Sequence, residues 1–215
     1  MGGRGMGGGS GMGSAGGGSV SVASEMDVWS YRHNPNNEPF VDAINEGVAK
    51  IQNDFPGVMN DVNFVNAATL NGIDKVTTLG FYSRADKSVS LNTNFTDIDK
   101  MNKVYDRSTQ SGFHPSRGNL SGTEAVAIHE MGHALTGHLA EKAGKDFDSI
   151  SKEIVKNAYK ATGGKSGTKS WAKKISGYAS TNNAECIAEA VADWYCNGSK
   201  AHSHSKAIMA ELKKY

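Results

Sequence analysis

The sequence predicts an α+β domain, with a small mixed sheet near the N-terminus, one motif-bearing helix and a mainly helical C-terminal half. Two periodicities carry that prediction. Apolar residues recur at spacings of three and four from Glu38 to Phe55 and again beyond Ser121, which is the repeat of a helix. Between about Val62 and Phe95 the apolar spacing shortens instead, through Val76, Thr78 and Phe81 and then Val89, Leu91 and Phe95, which reads as two or three strands.

The first element is not structural. Residues 1 to 19 hold eleven of the 26 glycines, a composition unable to bury enough surface to offset its ordering entropy. A flexible tail is therefore expected over residues 1–22, and one folded domain over 23–215. The first helix follows, with Phe40, Ile44, Val48, Ile51 and Phe55 inward, Asn37 as N-cap, Pro39 in its first turn and Pro56-Gly57 ending it. Ala85-Asp86-Lys87 reads as a turn between strands, and residues 106 to 120 as a loop rich in Ser, Gly and Asn. Ser121-Gly122-Thr123-Glu124 is a capping box opening the next helix, whose buried side is Val126, Met131, Ala134, Leu135 and Leu139 and whose end is Gly144. A helix from about Asp146 to Ala161 comes next, then a loop over Gly163 to Ser170. A helix from about Asn182 to Cys196 and a short closing helix complete the chain.

Composition narrows the function classes. With 215 residues there is room for one domain with a substantial core. A net charge of +1 supplies no global attraction to nucleic acid or an anionic membrane, so neither is expected as a partner. No run of eighteen apolar residues and no secretory h-region is present, which points to a cytoplasmic or virion-associated location. Myristoylation at Gly2 fails because position six is Met6. Cys186 and Cys196 lie ten residues apart on one expected helix, about 15 Å and beyond disulfide reach, so both are read as free, buried and chemically quiet.

The chemistry concentrates in His129-Glu130-Met131-Gly132-His133. Helical residues four apart stand one above the other, so His129 and His133 present two imidazoles to one point. Two nitrogen ligands with a carboxylate beside the first suit a zinc hydrolase: two clamps and a general base, Glu130. A catalytic zinc needs a third protein ligand. The extended metzincin pattern would require Gly at 136 and His at 139, where the chain has Thr136 and Leu139. His138 lies about 140° around the helix from His133 and points elsewhere. Glu185 and Glu189 offer the other route, a glutamate on a later helix as in the gluzincins. They share a helical face, so Glu185 can bind the metal while Glu189 accepts the free N–H of a ligating histidine.

These residues also carry a family resemblance. His129-Glu130-Met131-Gly132-His133-Ala134, followed by Tyr178-Ala179-Ser180-Thr181-Asn182-Asn183-Ala184-Glu185-Cys186-Ile187-Ala188-Glu189-Ala190, resembles the zincin-like metallopeptidase domain of the anthrax lethal factor family. That family pairs H-E-F-G-H-A with Y-x-x-T-N-x-A-E-x-x-A-E-A, and the tyrosine-to-glutamate spacing is kept. The resemblance spans roughly residues 79 to 212, is weak between 139 and 175, and departs mildly at Met131 and Cys186-Ile187. It implies His129, His133 and Glu185 as Zn2+ ligands, Glu130 as base and Tyr178 as the group opposite it. The expected activity is a zinc endopeptidase acting on a protein or peptide substrate. The stretch from Leu79 to Phe95 is the expected edge for an extended peptide, and His114-Pro115 reads as a turn rather than a ligand. The glycine-rich start and small size are also similar to metallopeptidase-like proteins encoded near phage head genes. Two alternatives therefore stand: a virion-associated structural accessory keeping a metallopeptidase fold, and a non-classically exported toxin domain.

Overall fold

Four strands form one mixed sheet in the order β1 (Val22–Asp27), β2 (Phe64–Leu70), β4 (Ser88–Asn92), β3 (Gly80–Ser83). The computed structural model describes residues 20–165 and 167–215. The sheet is antiparallel at both edges, β1 with β2 and β3 with β4, and parallel in the middle, where Val65 pairs with Val89 and Ala67 with Leu91. Its residue pattern follows its surroundings. Every residue of central β4 is buried, as a strand covered on both faces requires, whereas every residue of edge β1 is exposed. The expected Ala85-Asp86-Lys87 turn joins β3 to β4, with Lys87 at φ 50°. Residues 1–19 of the expected tail lie outside the described residues, and β1 begins at Val22, one residue inside the span read as tail.

The helices run in chain order as α1 (Val28–Tyr31), α2 (Glu38–Asp54), α3 (Asp74–Thr77), α4 (Ile98–Gln110), α5 (Gly122–Ala143), α6 (Phe147–Ala161), α7 (Thr168–Ala172), α8 (Asn183–Asn197) and α9 (Ser203–Leu212). α2 buries Phe40, Ile44, Val48 and Ile51 as its spacing predicts, although Asn37 makes no side-chain cap bond. α4 corrects the expected loop over 106 to 120, because the helix continues to Gln110. Its apolar stripe runs through Ile98, Met101, Val104 and Tyr105, and Asp97 caps it by accepting the Lys100 N–H. α7 likewise takes up part of the expected Gly163–Ser170 loop.

α5 is the axis of the molecule. Its capping box is present in both directions, and Gly144 closes it in the left-handed conformation that glycine adopts without steric cost. Its apolar spacing predicts one buried side, but over Gly122–Thr136 the helix is enclosed all round, and only its last turn, at Glu141 and Lys142, is exposed. α2, the sheet, α6 and α8 surround it, and every residue from Gly122 to Thr136 is buried. That stretch has no solvent face on which to place His129, Glu130 and His133. Their burial calls for a chemical reason.

Candidate metal centre

His129, Glu130 and His133 stand on α5 with no solvent exposure, and among the described residues they form a group able to hold a metal ion. α8 crosses α5 at this level and supplies the carboxylates. Gly132 permits the crossing: a Cβ there would lie 2.9 Å from Ala188 Cα, so any larger residue would push the helices apart. Asn182 fixes where α8 starts by accepting the Glu185 N–H at 2.9 Å, which sets Glu185 in the first turn.

Glu185 Oε2 lies 3.2 Å from His129 Nε2 and 3.3 Å from His133 Nε2. Neither Nε2 makes a hydrogen bond, although both are buried. Two nitrogens and an oxygen thus converge at short range without hydrogen-bond geometry, the pattern of ligands sharing a point between them. One turn further, Glu189 Oε1 comes within 2.9 Å of His129 Nδ1. That approach has hydrogen-bond length but is bent away from its ideal angle. Tyr178 lies on the turn ahead of α8, its ring stacked on His129 with centroids 5.9 Å apart. Glu185 accepts a hydrogen bond from its phenol.

The electrostatics are those of a site that wants positive charge. Burial works against the His129 proton, yet Glu185 and Glu189 outweigh it and raise its pKa well above the ordinary imidazole value. At His133 burial prevails over Glu185 and lowers the pKa, favouring the neutral form that ligates. Burial would raise the Glu185 carboxyl, but His133 and His129 hold it well below the usual carboxylate range. The Tyr178 phenol is raised by burial and then by Glu185, Glu130 and Glu189, so it stays protonated and available as a donor.

All six residues singled out in the sequence therefore meet in one place. His138 does not join them; it bonds Asp61 on the far side of α5. His114 does, from a loop and as a partner of Glu189 rather than as a ligand. Its side chain is fully buried, and Nδ1 reaches Glu189 Oε1 at 3.0 Å. Ser176 reaches the other Glu189 oxygen at 2.6 Å. Neither residue sits in a periodic segment, so nothing in their local sequence points to the site.

No family model, curated protein or solved structure matches this chain. The fold is of the mixed α+β class. Both cysteines are free, but only Cys186 is fully buried; Cys196 is half-buried. Burial pushes each thiol up to about 12, in keeping with the chemically quiet role expected of them. No helix among the described residues is long and apolar enough to cross a membrane.

Proposed function

We propose that this chain is a zinc-dependent endopeptidase of the gluzincin type, with His129, His133 and Glu185 as ligands. One observation carries the reading. Zinc bonds of about 2.0–2.1 Å at tetrahedral angles separate neighbouring ligand atoms by about 3.3 Å, and Glu185 Oε2 lies 3.2 and 3.3 Å from the two histidine Nε2 atoms. The donor set suits zinc in kind as well, two imidazoles and a carboxylate. The motif resemblance to the lethal factor family points the same way.

Bound there, zinc would supply Lewis-acid polarisation of a scissile carbonyl and acidify a water. The protein's own residues do the rest. Glu130, next to the first ligand and enclosed beside β3, takes the water's proton and later delivers it to the leaving amine. Tyr178 donates its O–H to the oxyanion that forms on the carbonyl. Glu189 Oε1, 2.9 Å from His129 Nδ1, is placed to hold the proton on that nitrogen and so to leave Nε2 as the ligating atom. The substrate is an extended peptide. β3 is a sheet edge beside the motif helix, with Gly80 close enough that a Cβ there would meet Glu130 Cγ at 3.2 Å, and an added strand would pass the base.

A proteomic cleavage screen of wild type against Glu130→Gln tests the reading and finds the substrate together. New N-termini formed by wild type and not by the variant are expected. Identical products from both, or none from a zinc-loaded wild type, would overturn it and favour a structural role for the fold.

A further inference from the structure

Glu189 is the hub of more than one contact. Oε1 receives His114 Nδ1 at 3.0 Å and faces His129 Nδ1 at 2.9 Å, while Oε2 accepts the Ser176 hydroxyl at 2.6 Å. A carboxylate with no solvent exposure needs its lone pairs satisfied. Here the satisfying donors come from two separate loops that carry no metal ligand.

Those loops are clamped to each other. Gly177 N–H donates to Gly112 O at 2.7 Å and Tyr178 N–H to Phe113 O at 3.0 Å. The Ser176 oxygen also accepts the Ala179 N–H at 2.9 Å, so one hydroxyl joins Glu189 to the turn that bears Tyr178. The His114 ring is stacked on Tyr105 with centroids 5.6 Å apart and meets Tyr178 edge-on at 5.5 Å. It has little room to turn.

We propose that His114 and Ser176 are positioning residues which lock the Glu189 carboxylate and thereby set the tautomer of His129 that binds metal. The inference rests on the zinc reading above. A neutral imidazole carries one N–H, and a carboxylate held beside Nδ1 keeps it there, leaving Nε2 its lone pair toward Glu185 and His133. A Glu189 free to rotate would hold that preference only part of the time. Rotation in the native site would break the bonds from His114 and Ser176 together. The same lock ties the Tyr178 turn to the histidine it stacks on, so metal affinity and the donor's placement share one support.

The test is a chelator-competition titration of zinc, with thermal melting of the apo form, on wild type and on His114→Ala, His114→Asn, Ser176→Ala and Ser176→Thr. The alanine variants should bind zinc about 10- to 100-fold more weakly, the usual effect of removing a partner behind a ligand. Cobalt-substituted samples of the same variants should show a shifted visible absorption. Asn and Thr, which restore an N–H and a hydroxyl, should recover most of the affinity. If His114→Ala does not fold, the Ser176 pair reads the same coupling. Alanine variants that fold and bind zinc as wild type does would overturn the proposal, as would weakened binding that Asn and Thr leave unrepaired. A wild type that binds no zinc would overturn the endopeptidase reading and this one with it. A zinc-bound, active wild type with unaffected variants would overturn this one alone.

Discussion

Gly132 meets Ala188 at the crossing of α5 and α8 with no space for a side chain: a Cβ there would sit 2.9 Å from Ala188 Cα and 3.3 Å from Val191 Cβ. Ala188 lies between Glu185 and Glu189, so the separation of the two helices sets the distance between histidines and carboxylates. Gly132→Ala should cost about 1–3 kcal/mol in overpacking, offset by about 1 kcal/mol of gained helix propensity. The net loss, up to about 2 kcal/mol, should lower the melting temperature by up to about 8 °C and weaken zinc binding as well. Thermal melts and a zinc titration check both. Wild-type values for each would show that the helices can separate without harm to the site.

Glu130→Gln should keep the fold and the metal, because the amide is nearly isosteric and Glu130 is not among the proposed ligands. Hydrolysis should nearly vanish, since an amide cannot take the water's proton. General-base catalysis contributes typically 10²–10⁴-fold. Turnover of any cleaved peptide by the zinc-loaded variant measures this, and more than about a tenth of wild-type activity would exclude Glu130 as the base.

Tyr178→Phe should lower kcat about 10- to 1,000-fold, the upper end being what loss of one oxyanion donor costs, and leave KM nearly unchanged. The phenol stays protonated because burial and the surrounding carboxylates raise its pKa, so it acts as a donor. Steady-state kinetics on one peptide decides the matter. An unchanged kcat would reduce Tyr178 to packing against the His129 ring.

The readable parts of this chain are those where local chemistry is strong. The capping box at Ser121, the four-residue histidine spacing and the paired glutamates after Asn182 each carry a mechanism within a few residues, and each recurs in the structure. α4 has a largely polar sequence, but Ile98, Met101, Val104 and Tyr105 recur at helical spacing behind the Asp97 cap, and that stripe, which packs toward α5, was legible in the sequence. The less legible parts depend on distant partners. β1 is exposed along its length and has no inward pattern to read; it is a strand because β2 offers it an edge. His114 and Ser176 reach Glu189 across 75 and 13 residues of sequence, and no local rule connects them. The enclosure of α5 on every side over Gly122–Thr136 was hidden for the same reason, since its alanines and glycines look neutral until neighbouring helices close on them.

The ligand set bears most directly on the proposed chemistry, and zinc titration of His129→Ala, His133→Ala, Glu185→Ala and His138→Ala beside wild type measures it. One zinc per chain should bind tightly to wild type and to His138→Ala, whose side chain turns away to Asp61. Tight binding should disappear in the other three, because each removes one of three donors that converge at 3.2 and 3.3 Å. Full, tight zinc occupancy in Glu185→Ala would contradict the proposed metal centre.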